Sequence, residues 1–432
     1  MPLIQELFSN LHFLVCSSAI VALGLSLRMY PVIIFVALKK RLTDVPEERK
    51  SHFTEVPNLG GVGLFISFSL AIILYGIAVG LDRPELIKLL SIFGATMILL
   101  FLGIKDDLVL LSPKKKFVGQ FIAAGMVIFM TDVRITGFDG LLGVGELPYI
   151  VSVLFTFFVF LLVVNAFNLI DGIDGLAGTI ALISSLLFGI FFVVNDQLLL
   201  ALVSFVLIGS VIGFLRYNFS KTHKLFMGDS GSLFIGYLLA YQGISFLGIN
   251  ESATSTFTIA NAPMVLLAIL SYPLFDTLRV FIIRAREKRS PFSADRNHIH
   301  HRLLNLGLSH KRATFFIVLG NLTIIGLVLL MGNLYINVQL IISVSFGAVI
   351  YLLPFTKVFG KKVKVKTVNT GMGSGNGIIK PAETYESIFE NEWIEERTRQ
   401  TRHSHMRRNL TKRLAGFKRL PKTNIAYKKT AD

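Results

Sequence analysis

A chain of 432 residues that is 53% apolar and only 16% charged has too little polar surface for a water-soluble enzyme, whose charged share runs at roughly 25%. Its 43 Lys and Arg against 27 Asp and Glu, a formal +16, mark either nucleic-acid binding or the cytoplasmic bias of a polytopic membrane protein. The single cysteine, Cys16, excludes an internal disulfide framework and any cysteine-based zinc or iron–sulfur site.

A membrane-spanning helix needs about 20 mostly apolar residues. Eleven stretches qualify as candidates: 11–37, 61–80, 86–104, 117–131, 149–168, 174–194, 198–215, 230–248, 260–283, 313–333 and 336–354. The expected class is therefore all-α, a polytopic membrane protein of about eleven spans. The first stretch is long, and Pro31 is expected to break it into a spanning and an interfacial part. No basic n-region or small-residue cleavage site precedes it, so it is expected to be retained as a span. Alternate loops differ sharply in charge. Twenty Lys and Arg fall in 39–59, 105–116, 216–229 and 284–312, against Arg83 and Arg134 in the other set. The positive-inside rule puts the rich set in the cytoplasm, the N-terminus outside and the C-terminal end inside.

The rich loops also carry polar groups that cost free energy near a membrane and are usually kept for function. The first holds Arg49-Lys50-Ser51-His52 and then Pro57-Asn58-Leu59-Gly60-Gly61. Taken alone it reads as a charged flank with a helix-start turn, and its Gly pair permits close backbone approach. The second, Gly103-Ile104-Lys105-Asp106-Asp107 followed by Lys114 to Lys116 and Gln120, sets two adjacent carboxylates at a span end. Such pairs persist where a cation or proton is shared, and the lysines suit phosphate oxygens; a purely structural pair is the alternative.

The third stretch, Asn165-Ala-Phe-Asn168-Leu-Ile-Asp171-Gly-Ile-Asp174-Gly175, joins two spans with almost no polar loop. In a helical turn Asp171 and Asp174 would share one face, and an Asn with two Asp is an all-oxygen set suited to magnesium. In the fourth, Asn218 precedes Lys224-Leu-Phe-Met-Gly-Asp229-Ser230-Gly-Ser232. A helix starting near Ser230 would aim N–H groups at an anion, or Asp229 or Ser230 would simply cap it. The fifth, Arg296-Asn-His298-Ile299-His300-His301-Arg302, has histidine spacing awkward for zinc on a helix. Its donors suit a diphosphate or sugar better. Residues 357–432 form a separate basic segment, expected as a partly disordered cytoplasmic tail after a 1–356 membrane domain. Its Gly run at 371–377 lacks GxGxxG spacing, and Tyr385, Phe389 and Trp393 recur as on an amphipathic helix over 383–398.

Read on their own, five such loops fit a magnesium-dependent site for a phosphorylated polar substrate, with a second substrate drawn from the bilayer. A transporter would more often set such groups near the midplane. The motifs RKSH…PNLGG, GIKDD, NAFNLIDGIDGLAG, FMGDSGSL and PFSADRNHIHHRL, in this order across about residues 40–310, resemble the polyprenyl-phosphate N-acetylhexosamine-1-phosphate transferase superfamily. That superfamily opens peptidoglycan, teichoic acid and O-antigen synthesis. The HIHHRL form is similar to the bacterial UDP-GlcNAc:undecaprenyl-phosphate GlcNAc-1-phosphate transferases. Ile299 interrupts the three consecutive histidines of the phospho-N-acetylmuramoyl-pentapeptide transferases.

The resemblance implies a UDP-N-acetylhexosamine and a polyprenyl phosphate as substrates, Mg2+ (or Mn2+) as cofactor, and the inner cytoplasmic membrane as location. No nucleic-acid partner is expected, and a homodimer is left open. It implies magnesium ligands at Asn168 and Asp229, and catalytic carboxylates at Asp106, Asp107, Asp171 and Asp174. Lys50, His52, Lys116, Asn218, Arg296, His298, His300, His301 and Arg302 are the expected substrate contacts.

Overall fold

The computed structural model describes residues 10–40, 42–44, 56–109, 111–290 and 297–356. Two β-strands of two residues each, Thr43–Asp44 and Val56–Pro57, pair antiparallel and bracket the segment that carries Lys50 and His52. The other regular elements are helical: α1 Leu11–Lys39, α2 Gly60–Val79, α3 Arg83–Val109, α4 Pro113–Thr131, α5 Tyr149–Ile170, α6 Leu176–Val194 and α7 Leu198–Asn218. They continue with α8 Gly228–Asn250, α9 Ala262–Ile269, α10 Ser271–Arg286, α11 Ile299–Asn305, α12 His310–Leu330 and α13 Ile336–Leu352, with short 3-10 turns at 141–143 and 353–355. The chain is a multi-pass α-helical membrane protein. Lys50, His52, Arg296 and the whole of 357–432, with its Gly run and aromatic repeat, lie outside the described residues.

Among the described residues nine helices are long and apolar enough to cross a membrane, or ten if the bent pair α9–α10 is one span. The remaining expected stretch lies in α4, which opens on Lys114, Lys115 and Lys116. That leaves 117–131 apolar, short of the roughly 20 residues a span needs.

Two expectations about spans are corrected. Pro31 does not divide the first stretch: α1 runs unbroken through it. A proline inside a helix orphans the carbonyl four residues back. Here that carbonyl, on Leu27, accepts the Tyr217 hydroxyl from α7 at 3.2 Å, so the helix continues. The stretch 260–283, expected as one span, is instead broken between α9 and α10 with a bend of 72°. Pro273 removes the donor for Ile269, and Asn321 of α12 donates to the carbonyls of Ala268 and Ile269 at 3.2 and 3.4 Å. The break is thus held open by a polar side chain rather than left unsatisfied.

The core is organised around α8, whose residues 230–247 are all buried. Helices α2, α3, α5 and α6 pack directly against it, and α1 lies outside them against α7 and α2. The N-terminal end of α8 is where the polar stretches meet.

Candidate active site

The start of α8 is built from backbone that comes unusually close. Phe226 N donates to Pro57 O, and Gly61 N donates to Met227 O, each at 2.9 Å. The first N–H groups of α8 lack partners within the helix. Asp107, at the end of α3, supplies one: its Oδ1 accepts from Asp229 N at 2.8 Å and its Oδ2 from Ser230 N at 3.1 Å. Asn58 Nδ2 donates to the same Oδ1 at 3.2 Å. The anion at this helix start is therefore a carboxylate of the chain itself, and neither Asp229 nor Ser230 caps α8 with its side chain.

The neighbouring carboxylate, Asp106, is buried and points elsewhere. It pairs with Lys116 Nζ and accepts the Leu111 N–H. Lys116 also reaches Asp229 Oδ2 at 2.6 Å, so one ammonium bridges α3 and α8. The other oxygen of Asp229 accepts from Asn168 Nδ2 at 2.7 Å, and that amide also donates to Ser232 Oγ at 2.8 Å. Asp106, Lys116, Asp229 and Asn168 thus form one connected network.

Asp171 and Asp174 do not share a helical face. The helix ends at Asp171, and 171–175 is a turn whose last residue, Gly175, sits at φ +78, a left-handed conformation that glycine adopts without steric cost. Asn218 braces this turn: its Oδ1 accepts Gly175 N at 2.6 Å while its Nδ2 donates to Leu225 O at 2.9 Å. Asp174 Oδ2 lies 2.7 Å from Lys224 Nζ and 3.1 Å from His310 Nδ1. Burial pushes its carboxyl up, but the bonds from His310 and Lys224 outweigh that and hold it below the usual range. Asp171 accepts no hydrogen bond among the described residues. Burial, and then the facing charges of Asp229, Asp107 and Asp174, push it well above the usual carboxylate range.

The histidine segment closes on this turn. His300 is buried, with Nδ1 3.4 Å from the Tyr272 hydroxyl and Nε2 without a hydrogen-bond partner among the described residues. That nitrogen lies so close over Gly172 that any side chain there would collide with it. Burial, then the neighbouring His301, His298 and His310, press His300 well below the usual histidine range. His298 is buried against Asp276, Nδ1 to Oδ2 2.7 Å. Arg302 donates through Nε to Pro354 O at 3.0 Å, and His301 stands half-buried with its ring centroid 4.4 Å from that of His300.

The structure brings Asp106, Asp107, Lys116, Asn168, Asp171, Asp174 and Asp229 together around the α8 start, with His300 at the edge. His298, His301 and Arg302 continue outward from it, and Asn218 serves the turn from behind. Four contributors escaped sequence reasoning in their roles: Lys224, His310, Tyr272 and Asp276. Asp276 had a signal, an acid inside an apolar run. His310 had none, because only the tertiary fold sets it against Asp174.

Among the described residues no three His, Cys, Asp or Glu converge as a ready-made metal cage. Magnesium does not require one, since it is commonly held by one or two carboxylates together with substrate phosphates. The unpaired Asp171, facing three carboxylates, is a negative field that a divalent cation would relieve. The site is chemically suited to that ion.

The profile of glycosyl transferase family 4 matches residues 89–247, which include the GIKDD, DGIDG and FMGDSGS stretches. A probable undecaprenyl-phosphate N-acetylglucosaminyl 1-phosphate transferase of Bacillus subtilis is 33% identical over 366 residues, covering 80% of this chain and 96% of that protein. The decaprenyl-phosphate N-acetylglucosaminephosphotransferase of Mycolicibacterium smegmatis is 33% identical over 290 residues, 63% of this chain and 71% of its own. An undecaprenyl-phosphate alpha-N-acetylglucosaminyl 1-phosphate transferase of Pasteurella multocida is 34% identical over 287 residues, 65% and 76% respectively.

Proposed function

This chain belongs to glycosyl transferase family 4, and from that premise we propose that it moves N-acetylglucosamine 1-phosphate from UDP-GlcNAc to a polyprenyl phosphate such as undecaprenyl phosphate. The products are polyprenyl-diphosphate-GlcNAc and UMP, an opening membrane step of cell-envelope polysaccharide synthesis. The reading is carried by one observation: Lys116 joins Asp106 to Asp229 within reach of Asn168, beside an unpaired Asp171. The printed names of the relatives supply the sugar and the lipid.

An oxygen of the lipid phosphate attacks the sugar-linked phosphorus. The bond from that phosphorus to the bridging oxygen breaks, and its electron pair leaves with UMP. A phosphate monoester with a second pKa of about 6 is already largely ionised at roughly neutral pH. Asp106 therefore orients the lipid phosphate through Lys116 more than it deprotonates it, and the ammonium offsets charge on the transferring group. Asp107 keeps the α8 start in register through its two backbone bonds. Asn168, with its amide turned so that the oxygen replaces the Nδ2 that faces Asp229, and Asp229 would hold Mg2+, or Mn2+ in its place. Bound beside the diphosphate, the ion would neutralise charge gathering on the leaving UMP. His300, neutral at physiological pH, offers Nε2, while His298, His301 and Arg302 supply further contacts to the diphosphate and amino sugar. For Lys50, His52 and Arg296, which lie outside the described residues, substrate contact rests on the family resemblance alone. The site faces the cytoplasm, with the N-terminus outside and 357–432 inside.

Purified protein incubated with undecaprenyl phosphate and a panel of radiolabelled UDP-GlcNAc, UDP-GalNAc and UDP-MurNAc-pentapeptide tests this. Lipid-linked GlcNAc with one UMP per turnover is expected, lost in EDTA and restored by Mg2+. No lipid-linked product from any donor, or product from the pentapeptide donor alone, would overturn the reading.

A further inference from the structure

One buried carboxylate touches the histidine segment yet has no part in the reaction as derived. Asp276, on α10, is fully buried and spends both oxygens on the start of α11. Its Oδ2 lies 2.7 Å from His298 Nδ1, and its Oδ1 accepts the Ile299 N–H at 2.9 Å. One turn along α10, Arg279 donates to Asn297 O and lays its guanidinium 3.6 Å from the centre of the Phe355 ring. Residues 297, 298 and 299 are thereby tied to α10 in succession.

This anchorage reaches the carboxylate turn through the histidine rings. His298 and His300 lie nearly parallel, 11° apart with centroids at 5.4 Å, and His300 Nε2 rests over Gly172, between Asp171 and Asp174. A seven-residue helix needs only a neutral acceptor at its first turn. Burying an ionisable acid in an apolar helix pair is far costlier than burying an amide. The acid differs from an amide in one respect: an ionised carboxylate only accepts hydrogen bonds. It therefore requires His298 Nδ1 to carry a proton, which fixes the tautomer and leaves Nε2 as the free ring nitrogen.

We propose that Asp276 is a positioning residue of the transfer reaction: it sets the tautomer and ring plane of His298 and seats α11, so that the histidines meet the nucleotide-sugar diphosphate. The proposal rests on the transferase reading above. Wild type, Asp276→Asn, His298→Asn and the double variant are compared as full-length protein in detergent with undecaprenyl phosphate and UDP-GlcNAc. Thermal melts of each serve as the measure of folding.

Asp276→Asn keeps an acceptor for Ile299 but offers His298 an amide. It is expected to melt close to wild type and to leave KM for the lipid unchanged. Its kcat/KM for UDP-GlcNAc should fall by about 10–100-fold, as for lost outer partners of site histidines, with an altered pH profile. The double variant should be no worse than His298→Asn alone. An Asp276→Asn activity within about twofold of wild type, or losses that multiply in the double variant, overturns the proposal. If Asp276→Asn fails to fold, Asp276→Glu is read instead. Retention of the wild-type pH profile at reduced kcat/KM supports the proposal, and an altered profile overturns it. Wild type that makes no product with any UDP-sugar removes the transferase reading itself, a result distinct from any difference among variants.

Discussion

Asp171 and Asp174 stand three residues apart in one turn and behave oppositely. Asp174 is held ionised by Lys224 and His310, whereas Asp171 has no donor among the described residues and looks at three other carboxylates. Spacing alone could not separate them, because both partners of Asp174 arrive from other elements. The difference has a sign in the pH dependence of stability. An unfolded Asp ionises at about 3.9, while folded Asp171, half-buried and facing like charges, ionises well above that. Between those two values the folded chain keeps a proton that the unfolded chain has lost, so this residue's contribution to stability is lost as pH rises through the folded value. In EDTA, the melting temperature of wild type relative to Asp171→Asn is therefore expected to decline as pH is raised from about 4. Added Mg2+ should reverse the order, raising wild type more than the variant. Parallel melting curves across that range, with and without metal, would show that the carboxyl is not held out of solvent among like charges.

At the scale of elements, what could be read from the sequence was the apolar run of each helix and the polar stretch at its end. The long spans follow from composition, because hydrocarbon length dictates helix length. What stayed hidden was compensation by a distant partner. Pro31 looked like a break because nothing near it says that the Tyr217 hydroxyl will cover the Leu27 carbonyl. The run through 270 looked continuous because nothing near it says that Asn321 will stabilise a 72° bend. The same holds for the start of α8, where Asp107 does the work expected of Asp229 or Ser230. Glycine was more legible, since Gly61 and Gly103 flank the motifs and both prove to be contact points. A methyl group on Gly61 would run into the backbone of Ser230 and Gly231, and one on Gly103 into that of Asp229 and Ser230. Backbone cannot rotate away as a side chain can, so Gly61→Ala and Gly103→Ala are each expected to cost about 1–3 kcal/mol or more. Because the displaced segment carries Asp229, transferase activity per folded molecule should fall as well. Gly24→Ala, on α1 with nothing within 4 Å of the added carbon, is the control and should leave both unchanged. Equal melting temperatures for all three variants would mean that α2 and α3 do not lie against α8 as described.

For the molecule as a whole, the surplus of positive charge divides into a topological part and a terminal part. Before residue 357, twenty Lys and Arg fall in one set of loops and two in the other; the 18 in 357–432 face only 7 Asp and Glu. From the loop share, Lys116 and Lys224 lie inside the carboxylate network, so the bias that the positive-inside rule would read as cytoplasmic also gathers cations where a diphosphate would bind. Orientation and chemistry can then be tested by the same measurement. Cys16 is the sole thiol of the chain and is exposed, so a Cys16→Ser background is silent to maleimide. On it, Glu146→Cys places a thiol in the exposed loop before α5, and Thr222→Cys places one in the exposed turn two residues from Lys224. A membrane-impermeant maleimide applied to intact spheroplasts should label the first and spare the second, which reacts only after permeabilisation. A bound nucleotide sugar should further slow labelling of Thr222→Cys and leave Glu146→Cys unaffected. Nucleotide sugars are made in the cytoplasm, so the 222 side must be the cytoplasmic side if the carboxylate network receives one. Labelling of Thr222→Cys from outside would invert the loop assignment and set the network on the face where its donor substrate is absent.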